Sequence, residues 1–280
     1  MSDPAPRMPV LMIVHAHPDD ESSSTGGTLA HYSALGCRTI LVTCTDGRQG
    51  DAVNGAKPGQ PGHDPHEVAQ QRADELDAAA AALGVTEVVK LRYPDSGVDG
   101  DCAEESFSRR PLTPLVHQLV RLMRMYRPDV VITYPPNGLS GHPDHIRTHD
   151  VVAAAHGNVV AGGHSPALYY IALSRSRVKA FQANAQAAFG DDNWAPPDGM
   201  AVDDAMITTV IDVGSHWSAK LAGLAAHSSQ ADAAMLLRMF SARPDLDVQG
   251  ADVEEYIRAY PPTTGADVED GLLGLSTLHG

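Results

Sequence analysis

Five short apolar runs, each ending in a polar turn and followed by a helical pattern, constrain this chain more than any other feature. Val10 to Val14, Thr39 to Thr43, Val88 to Leu91, Asp129 to Thr133 and Leu168 to Leu173 read as strands too short to be core helices. Between them lie segments with apolar residues at helical spacing. Strand and helix alternating this regularly predict a parallel sheet covered on both faces by right-handed crossovers. In such sheets chemistry gathers beyond the carboxyl ends of the strands.

The helix signals are local and physical. Serines 22 to 24 offer N-caps for a first helix that continues through Leu29 to Leu35 and stops at Gly36. Asp64, Pro65 and Glu67 read as an N-cap, a first helical residue and a capping-box acid. Val68, Leu76, Ala80 and Leu83 then share one face. Thr113-Pro114 opens a third helix with Val116, Leu119, Val120 and Met123 inward, and His142-Pro143 opens a fourth reaching to about Asn158. After Ser174 the rhythm weakens. Phe181 to Phe189 and Trp217 to His227 read as helices, Ile207 to Val213 as a strand, and residues 191–204 as Pro- and Asp-rich loop.

Charge narrows the partners. With 35 acidic against 20 basic residues the net charge is −15, which argues against nucleic acid or an anionic membrane surface. Cys37, Cys44 and Cys102 are scattered and form no CxxC pair, so neither a disulfide framework nor a cysteine zinc site is indicated. Met1 to Pro9 has no basic stretch leading into an apolar one, and no apolar run could span a bilayer. A cytoplasmic setting is expected.

Two clusters carry the chemistry. His17-Pro18-Asp19-Asp20-Glu21 follows the first strand directly, and His142-Pro143-Asp144-His145 follows the fourth. Each combines imidazoles with carboxylates at a strand-to-helix turn stiffened by proline. A lone histidine near a strand end is usually a hydrogen-bonded loop residue. Two such tetrads at equivalent topological positions are better explained by a shared metal, since three His and Asp ligands with one open position describe a catalytic zinc site. The same ligands suit iron(II) or cobalt(II). A dinucleotide-binding sheet would carry GxGxxG after its first strand, and this chain does not.

The run from Val14 to Ser22, together with Gly141 to His145, resembles the LmbE-like (PIG-L) deacetylase family, with an echo at Ala226-His227-Ser228-Ser229-Gln230. The chain is similar to two of its branches, the mycothiol S-conjugate amidases and the GlcNAc-inositol deacetylases, and His145 to His149 leans to the first. The resemblance implies zinc on His17, Asp20 and His145, with Asp19 as general base. It implies that His142 is the acid or electrophilic partner and that Asp144 orients its ring. Asp19 has an alternative role as a partner to a ligand histidine.

Further residues follow from the same resemblance. Arg72 would bind a substrate oxygen, or else pair with a buried acid. Asp95 and Asp51 would face substrate hydroxyls, although Asp95 in Asp-Ser-Gly also suits an Asx turn. His149 would support the ligand histidine one helical turn away, and His227 matches a family histidine. Related enzymes carry a tyrosine two residues before HPDH, where this chain has Ser140, which would border the acyl group. The expectation is an α/β, Rossmann-like, mostly parallel sheet with helices on both faces. Residues 1–174 would form the catalytic domain and 175–280 a C-terminal extension shaping specificity. The expected activity is hydrolysis of an N-acyl amide on a small amino-sugar or thiol-conjugate substrate. The alternatives are glycolipid or natural-product N-acetylglucosamine deacetylation and a non-catalytic metal-binding relative.

Overall fold

The structure, a computed structural model, describes residues 7–98, 103–190, 195–242, 252–263 and 268–275; Cys102 and the start of the expected 191–204 loop lie outside them. Strands β1 (Val10–His15), β2 (Arg38–Thr45), β3 (Glu87–Tyr93), β4 (Val130–Thr133) and β5 (Ala167–Ala172) pair in parallel in the order β3-β2-β1-β4-β5. The sheet is the α/β arrangement that the alternation predicts. Strand order reverses beside β1, between β1 and β4, so the two strands carrying the polar clusters are neighbours.

All six residues of β1 are buried, as a central parallel strand requires. Their side chains alternate between two cores. Leu11 and Ile13 pack with Leu29 and Tyr32 of α1 (Asp20–Ala34), Ala185 of α5 (Arg175–Phe189), Leu224 of α6 (Trp217–Ala226) and Phe240 of α7 (Ala231–Ser241). Met12 and Val14 pack with Leu119 and Met123 of α3 (Leu112–Tyr126) and Val152 of α4 (Pro143–Ala161). α2 (Pro65–Ala82) presents Leu76 and Ala80 to Leu41, and also packs on α6. Its start is as expected: Asp64 accepts from the His66 (2.8 Å) and Glu67 (3.4 Å) amides, with Pro65 next.

The first helix differs from expectation. It begins at Asp20, not at a serine cap, because the Asp19 carbonyl already accepts from the Ser22 (3.1 Å) and Ser23 (3.0 Å) amides. The serines lie inside the helix, with Ser22 Oγ donating to Glu21 Oε1 (2.6 Å) and Ser23 Oγ to the Asp20 carbonyl (3.2 Å).

Beyond Ser174 the chain extends the same sheet. β7 (Val253–Tyr260) pairs antiparallel with β5, and β6 (Thr209–Asp212) antiparallel with β7. Neither β7 nor α7 is evident from sequence. In β7 an inward position is Glu254, buried against Lys220 (2.5 Å), so the apolar alternation is broken by an ion pair. α7 has no side-chain cap at Gln230 to announce it. No helix among the described residues is long and apolar enough to cross a membrane.

Candidate metal centre and active site

The turn from β1 into α1 is held in an unusual conformation. Asp19 has φ 99° and ψ −28°, a left-handed geometry that a residue with a Cβ seldom adopts. Such strain costs about 1–3 kcal/mol and persists only where surroundings fix it. Here the Asp19 amide donates to Glu21 Oε2 (3.0 Å), and Arg72 Nη2 donates to Asp19 Oδ2 (2.8 Å). Glu21 is itself buried against His227 Nε2 (2.7 Å), on the segment after α6. One residue on, Asp20 Oδ2 accepts from the His17 amide (2.8 Å) and from the Tyr134 hydroxyl (2.6 Å).

The turn from β4 into α4 supplies the other half. His142 is the N-cap, its Nδ1 accepting from the Asp144 amide (3.1 Å), and Pro143 takes the first helical position. His145 lies on the first turn, with its ring stacked on Tyr134 at 4.2 Å between centroids. His145 Nδ1 meets the Gly138 carbonyl at 3.1 Å and Ser140 Oγ at 3.4 Å.

Ligating groups of three residues converge between the turns, Asp20 through both of its carboxylate oxygens. His17 Nδ1 is 3.2 Å from His145 Nε2 and 3.3 Å from Asp20 Oδ2, and His145 Nε2 is 3.5 Å from Asp20 Oδ1. Corners of a tetrahedron with ligand bonds of about 2.0–2.1 Å are about 3.3 Å apart, so the trio fits a zinc-sized cation. The hydrogen-bond network fixes the tautomers. A carbonyl at His145 Nδ1 requires N–H there and leaves a lone pair on Nε2. His17 Nε2 faces Asp144 Oδ2 (3.3 Å) and Asp95 Oδ1 (3.5 Å), which leaves Nδ1 for a cation. With a cation bound, two imidazole lone pairs and a carboxylate would share it.

The electrostatics agree. Burial disfavours a charged His17, yet Asp95, Asp144 and Asp20 hold its pKa well above the ordinary value. Burial likewise opposes ionised Asp20, and His145 and His17 keep its pKa well below the usual carboxylate range. Other trios share His17: His17, His142 and His145, or His17, Asp95 and Asp144. In the last, every member is buried and the Asp144 carboxylate is sealed from solvent. Asp20 and His145 instead face a cavity, where a substrate can reach them.

Asp19 and His142 flank this trio. Burial pushes the Asp19 carboxyl up to about 6, against the opposing pull of Arg72. A quarter of its side chain stays exposed. Burial, with His17 and His145 alongside, lowers His142 to about 4. The Asp144 carboxylate turns to Ser96, accepting from its amide (2.9 Å) and hydroxyl (2.5 Å), and to His17. His142 Nδ1 accepts a backbone bond, so a neutral ring carries its proton on Nε2.

The residues expected to contact substrate are differently employed. Arg72 is buried and directs Nη1 and Nη2 to Asp19 and to the Gly47 (2.9 Å) and Pro18 carbonyls, while its Nε has no partner among the described residues. Asp95 forms the Asx turn with the Gly97 amide (2.8 Å) and faces His17. Asp51 pairs with Lys57 Nζ (2.5 Å) and accepts from the Ala231 amide (3.3 Å). His149 bonds the Tyr134 carbonyl (2.9 Å), supporting the stacked tyrosine instead of His145 directly. Tyr134 and Glu21 are the functional partners that sequence reasoning missed as such. Tyr134 ends an apolar strand and reads as core, and only its acceptor Asp20 reveals its role.

A cavity of about 460 Å³ opens beside the trio, bordered at one end by Asp19, Asp20, Ser140 and His145. Its remaining walls come from β5, α5, α6, α7 and β7, and are mostly apolar.

A paired His/Asp cluster able to hold a cation, at the carboxyl ends of adjacent parallel strands, accompanies a hydrolase acting on amide bonds, as comparison with known proteins shows. Residues 12–156 match the family model described as GlcNAc-PI de-N-acetylase, PIG-L. The chain belongs to that family. It is 39% identical over 232 residues to a 1D-myo-inositol 2-acetamido-2-deoxy-alpha-D-glucopyranoside deacetylase of Actinosynnema mirum, covering 79% of this chain and 81% of the relative. A Rhodococcus erythropolis enzyme of the same description is 33% identical over 279 residues, covering 93% and 94%. Among solved structures, the N,N'-diacetylchitobiose deacetylase from Pyrococcus horikoshii superposes with a TM-score of 0.56 at 20% identity, over 89% of this chain and 83% of that one. GalB, the 4-carboxy-2-hydroxymuconate hydratase of Pseudomonas putida, gives 0.61 at 18% identity, over 92% and 99%. One fold thus hosts two chemistries, and the site must decide between them.

Proposed function

We propose that this chain is a zinc-dependent hydrolase that cleaves the N-acyl amide of an amino sugar, with a glucosaminyl-inositol glycoside as its substrate class. One observation carries the reading: His17 Nδ1, Asp20 and His145 Nε2 converge at 3.2–3.5 Å, with the Asp19 carboxylate on the next residue. The relatives named as glucosaminyl-inositol deacetylases support the substrate class.

Zinc, when bound, polarises the amide carbonyl and acidifies the attacking water. The chain's own groups do the rest. Asp19, held by Arg72 and with its pKa raised to about 6, takes the water's proton near neutral pH and returns it to the leaving amine. Neutral His142 donates from Nε2–H to the oxyanion as negative charge develops there. Tyr134 fixes Asp20 by its hydroxyl and His145 by stacking, so the ligands need not reorganise.

Metal analysis tests the reading. The protein is expected to hold one zinc per chain and to lose it on His17→Ala, Asp20→Ala or His145→Ala, while Asp19→Asn retains it. Full metal content in both histidine variants would overturn the ligand assignment. A thiol-conjugate amide is a second reading, favoured by the cavity beside the trio, which far exceeds an acetyl group. Release of amine from such a conjugate faster than from the acetyl compound would select it.

A further inference from the structure

The cavity beside the trio does not include the whole site. Asp19, Asp20, Ser140 and His145 border it, but Asp51, Arg72 and Asp95 do not. The cavity therefore meets only part of the trio's surroundings, and a sugar placed on the part it does not meet would leave the acyl group to enter it. At about 30 Å³ per water, 460 Å³ corresponds to about 15 waters, far more than an acetyl group fills.

The cavity walls are apolar, built from residues such as Ile171, Leu173, Leu224, Leu236 and Met239. Several charged groups interrupt this character, among them Arg177, Lys220, Asp232, Glu254 and Glu255. Arg177, on α5, is 6% exposed and lines the cavity, its guanidinium 5.1 Å from the Phe181 ring centroid. Its Nη1 is buried with no hydrogen-bond partner among the described residues. The nearby acids are committed elsewhere. Glu254 accepts from the Gly27 (2.9 Å) and Thr28 (2.8 Å) amides and from Lys220 Nζ (2.5 Å). Glu255 accepts from the Ser174 amide (2.7 Å) and hydroxyl (2.8 Å). Burial lowers the Arg177 pKa, and Glu255, Glu254 and Asp252 oppose that through space. Lys220 is not a competing anchor, because its ammonium also donates to the Ser23 carbonyl (2.8 Å). Asp232, at the rim on α7, is exposed. A buried guanidinium with an unpartnered Nη1 is costly unless a ligand acceptor completes it, and carboxylate is its best geometric match.

We propose that Arg177 is a specificity residue that binds a terminal carboxylate on the acyl group, so that the preferred substrates are amino sugars acylated with a dicarboxylic acid through one of its two carboxyls. The apolar walls take the methylene chain, and the guanidinium takes the free carboxylate in a charge-assisted pair. The inference rests on the amide-hydrolase reading for the placement of the scissile bond.

Matched pairs of N-acylglucosamines test it: hexanoyl against adipoyl, and octanoyl against suberoyl. Binding to the metal-free full-length protein is followed by calorimetry, and amine release is followed with zinc-loaded protein. The dicarboxylic member of at least one pair is expected to bind at least tenfold more tightly than its neutral partner. Arg177→Gln is expected to abolish that difference. The wild-type comparison needs no variant, so a misfolded Arg177→Gln would not spare the proposal. Equal or tighter binding of the neutral member at both lengths would overturn it. Discrimination in binding without turnover of any compound would support the carboxylate pocket and overturn the hydrolase reading instead.

Discussion

Arg72 Nη2 lies 2.8 Å from Asp19 Oδ2, and the same guanidinium ties the Gly47 and Pro18 carbonyls to it, so one buried cation fixes both the turn and the Asp19 carboxylate. Arg72→Gln is expected to lower kcat by about 10–100-fold with little change in KM. The pH profile carries the sign. The guanidinium favours ionised Asp19, whose carboxyl sits at about 6, so its removal raises that pKa further. The acidic limb of kcat/KM should then move to higher pH. A raised KM with an unmoved limb would mean that Arg72 acts on substrate instead.

Asp19 also carries backbone strain. At φ 99° glycine is comfortable and alanine is not. Asp19→Gly and Asp19→Ala both remove the carboxylate, yet the glycine variant is expected to be more stable by about 1 kcal/mol. Both should be inactive. Equal denaturant midpoints would show that the turn relaxes once the Arg72 pair is gone.

The division between what the sequence discloses and what it hides follows the physics of each residue. Parallel strands declare themselves because both faces are buried, as in Val10 to Val14, and the metal trio is legible because its ligands sit in two short runs at strand ends. Asp64, Pro65 and Glu67 announce α2 because capping is local. Roles set by contacts distant in sequence are not legible. Arg72 and Asp95 look like substrate ligands until Asp19 and His17 are seen to occupy them. Asp144 is two residues from His142 in sequence, but its carboxylate faces His17 and Ser96 in space. Glu254 hides β7 because its partner, Lys220, is 34 residues away.

Gly27 marks where α1 meets the turn after β6. A Cβ there would lie 2.5 Å from Val213 Cβ, with both Val213 methyls within 2.8 Å. Alanine would gain helix propensity of about 1 kcal/mol, but the overlap involves a buried side chain with nowhere to move. Gly27→Ala is expected to be destabilised by about 1–3 kcal/mol in chemical unfolding. An increase in stability would mean that the segment around Val213 shifts freely.

The Lys220–Glu254 pair sets an acid limit on stability. Burial opposes ionised Glu254, but Lys220 and Thr28 outweigh it and hold its pKa below the ordinary 4.5. A depressed carboxylate stabilises the fold above its unfolded pKa, and that contribution fades as pH falls from about 4.5 through the folded value. Glu254→Gln leaves Lys220 buried without its counter-charge and is expected to cost about 3–5 kcal/mol at neutral pH. The variant should also show a shallower loss of stability on acidification below 4.5 than the wild type. Parallel acid curves for the two proteins would remove Glu254 from that limit.

Amine release from N-acetylglucosaminyl-inositol, followed for zinc-loaded protein before and after chelation and beside an Asp19→Ala control, addresses the metal-assisted hydrolysis itself. Turnover that disappears on chelation, returns with zinc and is lost in the control is the expected result. Turnover that survives both chelation and the loss of Asp19, or none at all from protein with zinc on His17, Asp20 and His145, would contradict it.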